Sequence, residues 1–118
     1  MDWNFENDRP IYIQLVEKLK LAIVAGEYPA GERLPSVRDL AIEIKANPNT
    51  VQRALVELEQ TGLIYTQRTN GKFVTEDKEL VKKIREELAK ETFSKFQESM
   101  RQLGFQDEEI RQYVVKQK

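Results

Sequence analysis

The chain of 118 residues contains no cysteine and no histidine. Without cysteine there are no disulfides and no thiolate metal ligands, and without histidine the commonest general base and the commonest zinc ligand are missing. A hydrolase would instead need paired carboxylates in a pocket, but the acidic residues are spread along the chain and mostly mixed with lysine and arginine. We therefore expect neither an enzyme nor a bound metal or cofactor.

Long hydrophobic runs are also missing. No window approaches the roughly eighteen uncharged apolar residues of a membrane-spanning helix, and residues 1–6 lack the basic start and apolar middle of a signal peptide. We therefore expect a cytoplasmic protein with no membrane partner. With 40% hydrophobic residues, the chain suits one globular unit, or one small domain with an appendage.

Positive charge is not in excess, because the chain has 19 Lys and Arg residues and 20 Asp and Glu residues. Residues 1–75 carry nine basic and ten acidic side chains, and residues 76–118 carry ten of each. A basic domain would be the easier footprint of nucleic-acid binding, so the composition argues mildly against that partner. Any attraction for DNA must come from local groups of basic residues.

A complete helix start is present around residues 46–55. Asn47 suits the cap and Pro48 the first helical position, where its missing N–H costs nothing. Helical spacing predicts a buried stripe that ends before Gly62 and is formed by Val51, Ala54, Leu55 and Leu58. The opposite side carries Asn49, Gln52, Arg53 and Val56. Amide and guanidinium groups there can pair with base edges in a major groove, although an ordinary solvated helix face has the same composition.

Two more helices are predicted ahead of this one. Apolar residues recur at steps of three and four from Tyr12 to Ile23 and stop at Gly26. Ser36 caps a short second helix, with Asp39 three residues later as in a variant capping box, and that cap could be its whole role. Since only residues 45–47 separate the second helix from the third, the pattern predicts a helix-turn-helix.

Beyond Gly62 the pattern alternates, which predicts strands over residues 63–68 and 72–75. Asn70-Gly71 between them is a strong hairpin signal, because both residue types accept positive φ. A hairpin directly after the third helix is a wing. A two-residue turn would place Arg68 and Lys72 near its tip, within reach of phosphate or a minor groove; the alternative is a plain turn without DNA contact.

A charged amphipathic helix is predicted from Glu76 to about Gly104, followed by a short helix that ends at residues 114–116. This tail has too little core to fold alone, so its apolar face must pack on the first domain or on a second copy. We favour a core shared by two copies over an intrachain core. The residues predicted for it are Phe93, Phe96, Met100, Leu103, Phe105, Ile110, Tyr113 and Val114.

An ordered series of short motifs runs through about residues 9–75. It comprises Pro10-Ile11-Tyr12 with Gln14, Gly26 and Gly31, residues 34–41, residues 47–51, residues 58–64, and Gly71 with Phe73-Val74. This series resembles the winged helix-turn-helix of GntR-type bacterial transcription regulators, and the short tail resembles their YtrA-like branch, in which the tail serves dimerisation. The resemblance implies DNA contacts by Arg38, Asn49, Thr50 and Gln52.

The wing departs from the pattern of the family it resembles. Where that family commonly has Arg-Gly-x-Gly-Thr before Phe-Val, this chain has Arg68-Thr69-Asn70-Gly71-Lys72. The change from threonine to Lys72 could replace a short hydroxyl contact with a longer-ranged charge.

Together these observations predict a mostly α-helical fold with a small β-hairpin: a winged helix-turn-helix domain over residues 1–75 and a helical dimerisation tail over residues 76–118. We expect a sequence-specific, DNA-binding transcription regulator, a repressor, that binds a palindromic operator as a homodimer. The residues predicted to bind DNA are Ser36, Arg38, Asn49, Thr50, Gln52, Arg53, Arg68, Asn70, Gly71 and Lys72.

Two points stay open at the level of sequence. A winged helix can also serve as a protein-interaction module without sequence-specific DNA binding, and the near-neutral charge is compatible with that alternative. The residues of the short tail indicate no small-molecule effector, and a pocket for one would have to lie in the groove between subunits.

Overall fold

A computed structural model describes residues 3–117, so the predictions that fall on Met1, Asp2 and Lys118 lie outside it. The described chain forms five helices and a two-stranded antiparallel sheet, which confirms the predicted fold class. The elements are α1 (Ile11–Val24), α2 (Val37–Ile44), α3 (Pro48–Gln60), β1 (Ile64–Gln67), β2 (Gly71–Val74), α4 (Lys78–Gln102) and α5 (Asp107–Lys116). Among these helices, none is both long and apolar enough to cross a membrane.

Contacts divide the chain into two compact units, and the division falls between Lys83 and Ile84. The first unit holds α1 to α3, the hairpin and the beginning of α4, and the second holds the rest of α4 and α5. This division lies inside α4, roughly two helical turns beyond the boundary predicted after residue 75.

The core of the first unit is formed by apolar side chains of the three helices, the hairpin and the segments beside them, with leucine the commonest residue. The predicted stripe of α3 is confirmed, because its members Val51, Ala54, Leu55 and Leu58 have no exposed surface. Leu15 and Leu19 of α1 and Leu40 of α2 are equally buried. Each such leucine contributes roughly 1.5–3 kcal/mol relative to an exposed one, so the core determines which side of α3 remains free.

The caps predicted for α2 and α3 are present. Asn47 Oδ1 accepts a hydrogen bond of 2.8 Å from the Asn49 backbone N–H, and Ser36 Oγ accepts one of 3.0 Å from the Asp39 N–H. Lys45 ends α2 in a left-handed conformation with φ of 57°. That conformation lets the chain leave α2 and begin α3 within a few residues.

The wing is a hairpin with a three-residue loop. Gln67 lies opposite Gly71 in the ladder, so residues 68–70 form the loop. A two-residue turn, the case in which Lys72 would lie near the tip, is not formed: the positive φ angles belong to Thr69 (66°) and Gly71 (105°), and Gly71 begins β2. A three-residue loop is the next commonest hairpin connection, and here it is followed by Gly71 at positive φ. The alternating pattern of the strands is compatible with loops of two and of three residues.

The second edge of the wing is also paired, with the segment 31–34 that leads into α2. The Leu34 N–H donates to the Lys72 carbonyl at 2.8 Å, and the Val74 N–H donates to the Glu32 carbonyl at 2.9 Å. The wing is therefore attached through its backbone to the start of the helix-turn-helix.

The turn between α4 and α5 uses glycine as its stop signal, as predicted. Gly104 has φ of 96°, and the Phe105 N–H donates back to the Met100 carbonyl at 3.1 Å, the bond of a Schellman motif. Gln106 and Glu109 then form a capping box at the start of α5.

Two residues predicted for a shared dimer core have little free surface. Met100 and Ile110 are 8% and 3% exposed. The chain itself already covers both side chains, so they offer little surface to a second copy, and their place in a shared core stays a prediction. A helical stripe cannot show which of its members the chain's own side chains cover, and this is why the sequence grouped them with the exposed ones.

Candidate nucleic-acid interface

The free side of α3 carries polar side chains at the start of the helix. Asn49 and Gln52 are exposed, and Thr50 is half-buried. The core side of the same turns is held by the fully buried Val51 and Leu55. The amides of Asn49 and Gln52 are thus presented on a helix whose orientation is set by its core, which is the arrangement that base reading in a major groove requires.

Arg53, the third exposed polar residue of this side, is held by α1. Its Cζ atom lies 3.7 Å from the centroid of the Tyr12 ring, and its Nη2 donates to Tyr12 Oη at 2.9 Å. A guanidinium has five N–H donors, so donors remain for a second partner. The sequence placed Tyr12 in the inward stripe of α1 and did not indicate this contact.

The start of α2 presents Ser36 and Arg38, both exposed. Ser36 Oγ acts as an acceptor in the cap, so its hydroxyl hydrogen remains available to donate. The structural role of Ser36 as a cap is thus confirmed, and a contact with DNA stays compatible with it.

An open groove of about 390 Å³ lies between the start of α2 and the wing. Its walls include Ser36 from the cap, Leu55 from α3, and Thr66, Gly71 and Lys72 from the hairpin. The structure therefore brings three of the predicted residues, Ser36, Gly71 and Lys72, to one groove.

The other predicted wing residues lie in the loop between the strands. Arg68 and Asn70 are exposed there, and Asn70 Nδ2 lies 3.4 Å from Gln67 Oε1. Arg68 thus occupies the wing-tip position that the sequence predicted for it.

Arg33 is a groove residue that the sequence reasoning missed. Its side chain lies over Gly71, where a Cβ atom would be 3.1 Å from Arg33 Nε. This close approach and the positive φ of Gly71 explain the glycine at that position. The only signal in the sequence is a basic residue next to Leu34, and nothing local indicates that it lies beside the wing.

Lys72 does not lie at the wing tip. Because the loop has three residues, Lys72 pairs with Thr66 in the ladder, and its Nζ lies 2.8 Å from Thr66 Oγ1 and 3.5 Å from Glu59 Oε2. The Thr66 hydroxyl in turn donates to Glu59 Oε1 at 2.6 Å. The predicted position of Lys72 is therefore corrected: its ammonium is directed to the end of α3.

These contacts change the titration of Glu59. The hydrogen bond from Thr66, followed by the positive charge of Lys72, holds the pKa of the Glu59 carboxyl below its ordinary value of 4.5. Glu59 is thus ionised throughout the neutral range and remains a partner for Lys72.

A helix-turn-helix followed by a hairpin wing, with amide and guanidinium groups on the free side of its third helix, defines the winged helix-turn-helix class of DNA-binding regulators. Residues 11–74 match the model of the family described as bacterial regulatory proteins, gntR family. The chain belongs to this family, as its motifs predicted.

Relatives of known name are also transcription regulators. The chain is 38% identical to the uncharacterized HTH-type transcriptional regulator YhcF of Bacillus subtilis over 110 residues, which cover 93% of this chain and 91% of YhcF. It is 46% identical to the HTH-type transcriptional repressor YtrA of the same organism over 68 residues, 58% of this chain and 52% of YtrA. The resemblance to the YtrA-like branch is therefore confirmed.

Solved structures extend the similarity to the whole fold. A GntR family transcriptional regulator from Listeria monocytogenes superposes with a TM-score of 0.87 and 43% identity, covering 95% of this chain and 98% of that one. The DNA-binding domain of AraR in complex with operator ORR3 has a TM-score of 0.56 and 25% identity, covering 61% of this chain and 87% of that one.

Proposed function

We propose that the protein binds a palindromic operator as a homodimer and represses transcription. In this proposal α3 enters the major groove, with Asn49, Thr50 and Gln52 at its start meeting bases or phosphates, and the wing meets the neighbouring backbone or minor groove. The observation that carries the proposal is the exposed polar start of α3, whose opposite side is fully buried. The operator-bound relative AraR, which shares the fold, supports it.

Local cations supply the attraction for phosphate in a chain of net charge −1. Arg33, Arg38, Arg53 and Arg68 are exposed and come from the segment before α2, from the start of α2, from α3 and from the wing loop. Since phosphate contacts release condensed counterions, we expect the affinity for DNA to fall steeply with salt, although the net charge of the whole chain is near zero.

Exposed apolar side chains of the second unit support the homodimer. The proposed contact surface consists of Phe93, Phe96, Leu103, Phe105, Tyr113 and Val114, together with Val115, which the sequence did not indicate. Phe105 is half-buried and the others are exposed. Apolar side chains left exposed in such number mark an interaction site, and a second copy is the occupant that a two-fold symmetric operator requires.

Repression is proposed because the relative YtrA is named a repressor. We assign the protein no enzymatic role, since its family and relatives are regulators, and we place it in the cytoplasm with its DNA. A small-molecule effector, if one is used, would bind in the groove between the two subunits.

Selection from a random DNA duplex library tests the proposal. The full chain is incubated with the library at controlled salt, the bound fraction is sequenced, and sedimentation gives the oligomeric state of the same sample. We expect a dimer and a palindrome with half-sites about 10 bp, or a multiple of that, apart. A monomer at micromolar concentration would contradict the homodimer, and recovery of only non-specific sequences would favour a protein-interaction module.

Two substitutions separate the predicted roles in DNA binding. Arg38→Ala should weaken binding on all sequences. It should also make the negative slope of log affinity against log salt shallower by about 0.9, because one phosphate contact is lost. Gln52→Ala should instead relax the preference at one base pair, which carries about 1–3 kcal/mol. Lys82→Ala, on α4, serves as the control that removes a charge elsewhere. Equal losses on every sequence for both variants would contradict the division of roles.

A further inference from the structure

We propose that Glu59 is a positioning residue of the wing: together with Thr66 it holds the Lys72 ammonium against α3 and keeps that charge away from the DNA phosphates. The inference rests on the proposed DNA binding for its second half. Its first half, the attachment of the wing to α3, stands on the internal contacts alone.

The three side chains form a closed set of contacts, the Glu59–Thr66–Lys72 brace. Lys72 donates to Thr66 Oγ1 at 2.8 Å, Thr66 donates to Glu59 Oε1 at 2.6 Å, and the Lys72 ammonium lies 3.5 Å from Glu59 Oε2. Thr66 and Lys72 are direct cross-strand partners, so their side chains leave the sheet on the same face. The brace therefore connects both strands of the wing to the end of the recognition helix.

Partial burial makes this pair more persistent than an ordinary surface ion pair. The Lys72 side chain is 17% exposed and the Glu59 side chain 34%, whereas surface pairs are largely screened by water and salt. Thr66 also orders both partners, which reduces the conformational entropy lost when they meet. A phosphate that captured Lys72 would have to replace both of its oxygen partners, and it would leave the Glu59 carboxylate with only the Thr66 hydroxyl as a partner.

Because the brace holds Lys72, a phosphate contact at the wing must come from a different basic residue. Arg68 lies in the loop at the tip, is exposed, and makes no ion pair within residues 3–117. We therefore expect Arg68 to release counterions on binding and Lys72 to release none.

The salt dependence of operator binding tests whether Lys72 or Arg68 contacts a phosphate. Lys72→Met and Arg68→Met both keep most of the aliphatic stem and remove one charge. Log affinity falls as log salt rises. On the selected operator, Arg68→Met should make this slope shallower by about 0.9, and Lys72→Met should leave it unchanged. A drop of the same size for Lys72→Met would overturn the proposal, because Lys72 would then contact a phosphate.

Release of Lys72 gives the complementary result. Glu59→Gln should free the Lys72 ammonium and make the slope of log affinity against log salt steeper by about 0.9. Adding Lys72→Met should return the slope to the wild-type value. Glu57→Gln removes the same charge two residues earlier on α3, where no partner is present among the described side chains, and should leave the slope unchanged. Equal slopes for Glu59→Gln and Glu57→Gln would show a general charge effect and overturn the positioning role.

Urea unfolding tests the brace without DNA. Glu59→Gln and Lys72→Met should each lower the urea midpoint, and the double variant should lower it no further than the larger single change, since both remove one interaction. Additive shifts would overturn the brace even if the protein selects an operator. Coupled shifts in a protein that selects no operator would instead overturn the proposed function and leave the wing attachment standing.

Discussion

Tyr12 of α1 and Arg53 of α3 form the contact that orients one of the side chains proposed to face DNA. The stacking distance of 3.7 Å and the 2.9 Å hydrogen bond act on the same guanidinium. An exposed cation–π contact contributes about 0.5–1 kcal/mol. A guanidinium that is already held loses less conformational entropy when it binds a base or phosphate, so we expect Tyr12 to contribute to affinity through Arg53.

Substitution of Tyr12 tests this contribution. Tyr12→Phe keeps the ring and removes the hydroxyl, and Tyr12→Ala removes both. We expect operator affinity to fall in that order, by about two- to fivefold for alanine, since the contact contributes about 0.5–1 kcal/mol and about 1.4 kcal/mol corresponds to one decade, with the loss mainly in a faster dissociation rate measured by surface binding kinetics. In an Arg53→Ala background neither change should alter affinity; equal losses with and without Arg53 would contradict the role.

Gln14 of α1 has a structural role that the helical pattern of the sequence does not indicate. It is buried, its Oε1 accepts from the Glu6 N–H at 2.7 Å, and its Nε2 donates to the carbonyls of Glu6 and Arg9 at 2.8 Å each. These bonds attach the segment before α1 to the helix. The sequence showed Gln14 only as a member of a motif, because its partners lie in an irregular segment that has no periodicity to detect.

At the scale of elements, Glu59 makes the attachment of the wing to α3 sensitive to acid. Because its pKa is lowered in the folded protein, the unfolded chain binds more protons in acid, and stability rises with pH. The stabilisation is fully present above the ordinary value of 4.5 and is lost as the pH falls through the lowered pKa of the folded state.

Urea unfolding of Glu59→Gln at two pH values tests that dependence. At neutral pH we expect the variant to be less stable by roughly 0.5 kcal/mol, a value reduced for solvent screening because the side chain is partly exposed. The difference should shrink in acid, as the pH falls below the ordinary value of 4.5 and through the lowered pKa of Glu59 in the wild type. Glu57→Gln, the matched control, should show no such change; a difference that stays constant with pH would contradict the assignment.

The bounds of α1 to α3 and of the two strands could be predicted from the sequence to within a residue or two. Pro48 and Ser36 mark helix starts through bonds to residues that are only a few positions away, and local sequence contains such signals. The hairpin loop could not be predicted in the same way. Two-residue and three-residue loops both suit the alternating strands, and the choice depends on the register that places Gln67 opposite Gly71.

At the scale of the whole molecule, apolar exposure in the second unit is the basis for the predicted dimer. Phe93→Lys places a charge on the proposed contact surface and should weaken dimerisation by about 2 kcal/mol or more, as for a central interface residue, measured by sedimentation. Leu21→Lys, at 54% exposure against 52% for Phe93, is the matched control in the first unit. Dissociation by both substitutions, or by neither, would contradict the assignment of the contact surface to the tail.

By itself the sequence determined the helix caps, the buried stripe of α3, the presence of a wing and the family. These depend on residues a few positions apart, or on an ordered series of motifs along the chain. Only the tertiary structure decided that Lys72 is held by Glu59, that Arg33 lies over Gly71, and that the chain itself covers Met100 and Ile110. The first two outcomes depend on a partner distant in the chain, and the third depends on which side chains cover a residue. Spacing along a sequence contains no information about which distant side chains the folded chain brings into contact.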